Sequence, residues 1–103
     1  MVDLNPTRGR EQSGRRPALV VSADTFNSGP ADLVIVVPIT SRDKHVPLHV
    51  PIVAPEGGLK ARSFVKCEDV RSISQERLVR RLGAVASTTL QDVEDRLRIV
   101  MEL

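Results

Sequence analysis

The chain has 103 residues, which suits a single domain over residues 1–103, and its net charge is +2. Hydrophobic residues make up 41% and charged residues 27%, an ordinary mixture for a globular chain. Aromatic residues are 2%, Phe26 and Phe64 alone, which argues against a stacking platform for single-stranded bases and predicts an aliphatic core. No apolar run is long enough to span a bilayer, and Met1-Val2-Asp3-Leu4-Asn5-Pro6 lacks the basic-then-apolar order of a secretory leader. Cys67 is the single cysteine, which excludes an internal disulfide and a thiolate metal cage. The expected location is the cytoplasm, with no membrane contact.

The charge is uneven along the chain. Residues 87–103 hold Asp92, Glu94, Asp95 and Glu102 against Arg96 and Arg98, so the positive excess lies ahead of them. Most of it is arginine, whose rigid fork of donors suits phosphate oxygens. On charge alone, a solvated basic surface explains this as well as a polyanion partner does.

Residues 5–16 read as a long polar loop, because Asn5-Pro6, Gly9 and Ser13-Gly14 are turn formers. Pro17-Ala18-Leu19-Val20-Val21-Ser22 predicts a buried strand. Residues 24–32 read as a second loop, around Asn27-Ser28-Gly29-Pro30. Leu33-Val34-Ile35-Val36-Val37 predicts a β-branched strand stopped by Pro38. Residues 46–53 carry Pro47 and Pro51, which fit an edge or bent strand. A turn at Pro55-Glu56-Gly57-Gly58 precedes a short strand at Ser63-Phe64-Val65-Lys66-Cys67, extended after a kink by Val70-Arg71-Ser72-Ile73. A single helical turn with Ser74 as cap and a strand at Leu82-Gly83-Ala84-Val85 follow. The clearest helix is the last segment. Thr88 with Gln91 matches a capping box, and Leu90, Val93, Leu97 and Val100 form one apolar stripe.

Short strands followed by one amphipathic helix describe a mainly β domain, a small bent barrel or sheet under a helix. No long helix separates the strands, so parallel βαβ folds do not fit, and no phosphate-binding glycine motif is present. His45 and His49 would face the same way on one strand, as a metal or acid–base pair or as ordinary polar residues. Cys67 in an apolar strand reads as an inert buried thiol. The densest constellation is Arg8-Gly9-Arg10-Glu11-Gln12-Ser13-Gly14-Arg15-Arg16-Pro17, where guanidinium groups and loop amides together can grip a phosphodiester. Arg16 stands at the mouth of the first strand and Thr40 at the end of the second, positions from which two side chains can meet in one pocket. A solvated loop leading into a strand is the plainer reading of the same residues.

The run from Val2 to Val20 resembles the opening of the MazF/PemK toxins, the messenger-RNA-cleaving endoribonucleases of type II toxin–antitoxin systems. Val37-Pro38-Ile39-Thr40-Ser41 is similar to the family's second signature, and Gly58-Leu59 with Val70-Arg71-Ser72-Ile73 to its third. The resemblance implies an SH3-like β-barrel with short helices and a C-terminal amphipathic helix, assembled as a homodimer. It also implies cleavage of single-stranded RNA at a short motif, with no metal and no cofactor. The family's catalytic arginine falls on Arg16, its threonine on Thr40 and its loop carboxylate on Glu11. Candidate RNA contacts are Arg8, Arg10, Gln12, Arg15 and Ser41, with Arg10 standing where many relatives have Ser. The implied protein partner is a cognate antitoxin, through which alone the chain would meet DNA. Relatives begin with a strand of the kind R-G-E-I-W ahead of the V-D-L-x-P motif. The expectation is either a start upstream of Met1 that supplies such a strand or a domain without that edge strand.

With RNA as substrate, the adjacent 2′-hydroxyl is the natural nucleophile, giving a 2′,3′-cyclic phosphate and a 5′-hydroxyl end. Arg16 suits the task of steadying phosphorane charge, and Thr40 can donate to a phosphate oxygen. Either Glu11 or Arg16 is left as the general base. The alternative reading is a catalytically weak or inactive module of the same fold that binds antitoxin or RNA, and a third is a regulator acting on DNA with its antitoxin.

Overall fold

The computed structural model describes residues 1–3 and 14–103. Strands β1 (Val2–Asp3), β2 (Arg15–Arg16) and β3 (Ala18–Val20) come first. Helix α1 (Asp24–Asn27) and the long strand β4 (Leu33–Thr40) follow. Then come β5 (His49–Ile52), β6 (Ser63–Lys66), β7 (Arg71–Ser74) and helix α2 (Ser87–Met101). All strand pairs among the described residues are antiparallel. β1 pairs with β2, while the larger sheet runs β3-β4-β6-β5 with β7 also on β4. The domain is mainly β with a terminal helix, as the sequence predicts. Pairing among the described strands leaves the curled sheet open rather than closed into a ring.

The β-branched run Leu33-Val34-Ile35-Val36-Val37 makes β4 the centre of this arrangement. Side chains alternate across a strand, so β4 feeds two apolar clusters. Val37 and Ile39 join Val50, Ile52, Leu59, Val65, Cys67, Val93 and Leu97. Val34 and Val36 join Val2 and Ile73 on the opposite face. One edge of β4 carries β3, with Leu19 opposite Val37. The other carries β7 along Leu33 to Val36 and β6 along Ile39 and Thr40.

Pro38 does not stop the strand. The Ile39 N–H donates to the Pro17 carbonyl, on the β3 side, at 3.0 Å. Amide directions alternate, so the Pro38 nitrogen faces the other edge, where β7 ends at Val36 and β6 begins at Ile39. It therefore displaces no ladder hydrogen bond. Pro51 is tolerated because β5 is the last strand of its sheet path, which bears out the edge-strand reading.

Helix α2 buries Thr89, Val93 and Leu97, spaced four apart, against the larger cluster. Burying Val93 and Leu97 contributes about 1.5–3 kcal/mol each. Two details differ from the sequence reading. Ala86 is the N-cap and makes no side-chain cap bond, because the helix starts at Ser87, ahead of Thr88, and Gln91 donates to Asp95; the Ala86 N–H itself donates to the Glu56 carboxylate at 3.0 Å. Val100 lies off the buried row and is 36% exposed.

Three further expectations are corrected. Residues 24–32 contain a helical turn, α1, whose Asn27 side chain is tied to Ser22. Residues 82–85 form no strand; Leu82 and Val85 cover the core from irregular backbone instead. His45 lies outside β5 at φ 54 with an exposed side chain beside Asp43, so it forms no pair with the buried His49. Ser74 is the N-cap of the turn Gln75–Arg77, without a side-chain cap bond.

Gly58 lets residues 82–85 approach. It sits at φ +72, and a Cβ there would overlap the Leu82 backbone carbonyl. Gly58→Ala is expected to lower stability by about 2 kcal/mol or more, through steric overlap and left-handed strain together. Urea denaturation of the two proteins, compared by midpoint at equal slope, measures this loss.

Candidate active site

Ala18 pairs with Pro38, and the Pro17 carbonyl accepts from Ile39. Carrying that register two residues further sets Arg16 across from Thr40 on one face of the sheet. Both side chains line a cavity of about 450 Å³ at the end of β4. Ser41, Arg42, Lys44, Lys60 and Lys66 line it too, over apolar ground from Pro17, Ile39 and Leu59. Among the described residues no carboxylate lines it. Guanidinium and ammonium groups so concentrated create a positive potential that attracts polyanions.

Thr40 is oriented by the turn that follows it. The Arg42 backbone N–H donates to Thr40 Oγ1 at 3.2 Å. A hydroxyl has one proton to give and lone pairs to accept, so this contact fills an acceptor position and leaves the Thr40 proton for a ligand in the cavity. Phe64 pairs with Thr40 and packs beneath the Arg62 guanidinium, 5.2 Å from the ring centre. That contact holds Arg62 over the ring by a cation–π attraction.

The flank of the cavity is more buried. His49 and Lys66 are opposite one another on β5 and β6. Lys66 Nζ lies 2.7 Å from Asp69, and His49 Nε2 lies 2.8 Å from Glu68. His49 Nδ1 is buried without a hydrogen-bond partner among the described residues. No group of three or more metal-ligating side chains occurs among the described residues. Cys67 is fully buried, and desolvation pushes its thiol up to about 11, which makes it a poor nucleophile at neutral pH.

Of the predicted site residues, Arg16, Thr40 and Ser41 come together in this cavity. Arg15, one residue from Arg16 on β2, is exposed and is not part of its lining. Arg8, Arg10, Glu11 and Gln12 lie outside the described residues. Sequence reasoning missed Arg42, Lys44, Lys60 and Lys66. Arg42 and Lys60 were signalled by following the motif pieces Thr40-Ser41 and Gly58-Leu59, and Lys66 by lying inside an apolar strand, whereas Lys44 carries no such signal.

A second concavity, of about 660 Å³, is mainly apolar. Leu19, Val20, Leu78, Val79, Leu82 and Val85 line it, with Arg80 and Arg81 among them.

Residues 1–101 match the model of the PemK-like, MazF-like toxins of type II toxin–antitoxin systems. The chain belongs to that family. It is 37% identical to Endoribonuclease MazF9 of Mycobacterium tuberculosis over 107 residues, covering 99% of this chain and 91% of that one. A crystal structure of MazF from Deinococcus radiodurans superposes with a TM-score of 0.86 at 31% identity, covering 99% of this chain and 90% of that one. A MazE–MazF crystal structure from the same organism gives 0.76 at 31% identity over 87% of this chain and 84% of that one.

Two outcomes are expected from this geometry. Binding of a single-stranded 2′-deoxy oligonucleotide should weaken with salt, with a log–log slope of about −2 to −3.5 for three to five phosphate contacts. Titration at several salt concentrations measures it. Cys67 should resist thiol reagents at pH 7.5 in the folded protein and react on unfolding. Its folded thiol keeps its proton to about pH 11, whereas the unfolded thiol loses it near 9.0, so stability contributed by this group falls as pH rises between those values. The urea midpoint, followed from pH 8 to 11 in the native protein and in Cys67→Ala, isolates that fall.

Proposed function

We propose that this single-domain chain, residues 1–103, is an endoribonuclease toxin that cuts single-stranded messenger RNA at a short sequence motif. The observation that carries the reading is the Arg16 guanidinium and the Thr40 hydroxyl sharing one basic cavity with no carboxylate in its described lining. Family membership and the 37% identity to an endoribonuclease support it.

A cavity of fixed cations and hydroxyl donors stabilises charge that grows on a phosphate. In the proposed reaction the 2′-hydroxyl oxygen attacks the neighbouring phosphorus as its proton leaves. The bond from phosphorus to the 5′ oxygen breaks, and that oxygen takes up a proton. The products are a 2′,3′-cyclic phosphate and a 5′-hydroxyl end. Arg16 holds two non-bridging oxygens, and Thr40 donates its remaining proton to one of them. The 2′ proton goes to Glu11 or to Arg16 as general base. Arg8, Arg10, Gln12, Arg15 and Ser41 are proposed to hold the flanking RNA.

The same reading proposes a homodimer in the cytoplasm, meeting DNA only through its antitoxin. The MazE–MazF relative supports the antitoxin partner. Its tail would compete with RNA for arginine contacts. No helix among the described residues is long and apolar enough to cross a membrane.

The test is incubation of purified protein with a long single-stranded RNA in excess chelator, followed by mapping of both fragment ends. Cleavage giving cyclic phosphate ends is expected. Arg16→Ala and Thr40→Ala should each lower the rate by about 10²–10³-fold, the loss of one preorganised donor. Intact RNA with the folded, unmodified protein overturns the reading, and RNA retained without cuts points to a non-catalytic binding module.

A further inference from the structure

We propose that the Arg62 guanidinium is a stacking platform for one base of the bound strand, on a nucleotide flanking the scissile group; this rests on the nuclease reading above. Proteins that hold single strands stack the bases on aromatic rings, and composition alone argues against such a platform here. The chain has two aromatic residues, Phe26 and Phe64. Phe26 stands on α1, whereas Phe64 pairs directly with Thr40.

Side chains alternate along β6. Val65 joins the larger apolar cluster, so Phe64 turns to the opposite face, the one it shares with Thr40. Phe64 belongs to neither apolar cluster, yet it is only 6% exposed. Arg62 lies over its ring, with Cζ 5.2 Å from the ring centre. The ring occupies one side of the guanidinium. Arg62 itself is exposed, so its other side is turned to solvent. A guanidinium is planar, delocalised and weakly hydrated, and bases stack on such planes as they do on aromatic rings. The cation–π attraction to Phe64 limits the freedom that Arg62 would lose on taking up a base.

The placement sets what Arg62 meets. Residues directly opposite one another have Cβ atoms about 5 Å apart, so the ring and the guanidinium on it stand next to Thr40. Lys60, Ala61 and Ser63 line the basic cavity, whereas Arg62 between them lies outside its lining. A phosphate held in the cavity therefore leaves the base of a flanking nucleotide, rather than its backbone, to reach Arg62. Stacking tolerates every base, because each has a π-face. The contact thus fixes the path of the strand past Thr40 without reading which base it holds.

A binding measurement tests this apart from cleavage. The probe is a single-stranded 2′-deoxy oligonucleotide bound by the full chain, carrying the mapped cut motif, or a mixed sequence where RNA is left intact. One abasic residue is moved along it position by position. For the unmodified protein, removing one base beside the cut should weaken binding about fivefold to 150-fold, the loss of one stacked base. Arg62→Lys keeps the charge and loses the plane. It should weaken binding of the intact probe to a similar degree, leave the salt slope unchanged and cancel the penalty at that one position. Arg62 is exposed, so the two proteins should share one urea midpoint. Binding by Arg62→Lys as tight as by the unmodified protein, or an abasic penalty that persists in it, overturns the proposal. Intact RNA in the cleavage assay alongside an Arg62-dependent base effect rejects the nuclease reading and leaves the stack standing.

Discussion

Strand β4 is buried on both faces and paired along both edges, and this double burial governs the rest of the domain. Its odd-numbered residues Val37 and Ile39 anchor the cluster under α2, and its even-numbered residues Val34 and Val36 anchor the cluster beneath Val2 and Ile73. A one-residue slip would exchange the two sets and place each against the wrong partners, so the register is specified from both sides at once. Thr40 is the last residue of that strand. Its position is therefore set by packing many residues away, and the cavity inherits the rigidity of the core rather than that of a loop.

The cavity gathers cations from β2, from the chain after β4, from the turn before β6 and from β6 itself. Like charges at such proximity oppose folding, and a protein tolerates them where binding or catalysis needs the field they create. Counter-charge sits just outside the lining. Asp69 faces Lys66, and Glu68 faces His49 on the next strand. The carboxylates thus moderate the buried end of the basic cluster from outside its lining.

The mainly β architecture was legible because β-branched runs and turn formers are local signals. Leu33 to Val37, the glycine turn before β6 and the row Val93–Leu97 all carry their structure in neighbouring residues. Arg16 and Thr40 were legible as candidate residues because a family resemblance pairs them, although only the antiparallel register brings both to the lining of one cavity. Other features depend on partners distant in sequence. Pro38 continues a strand because the two neighbours on one edge leave a gap at its nitrogen. Residues 82–85 look like a strand by composition, yet Gly58 draws them against the core where no strand edge awaits them. Lys66 looks like a surface residue of an apolar strand until Asp69 folds back upon it. His45 and His49 share a spacing that means little once the chain between them leaves the strand.

The latch on β4 also bears on when the domain can first work during its synthesis. Leu33 to Val36 are zipped to Arg71 to Ser74, and Ile39 and Thr40 to Val65 and Phe64. Contacts so far apart along the chain form late, since the intervening polypeptide must first be made and then closed into a loop. A ribosome that has finished Arg16 and Thr40 has not yet produced the strands that seat them. Whatever chemistry the cavity performs is withheld from the nascent polypeptide until most of it has emerged, a built-in delay for a protein of the toxin family.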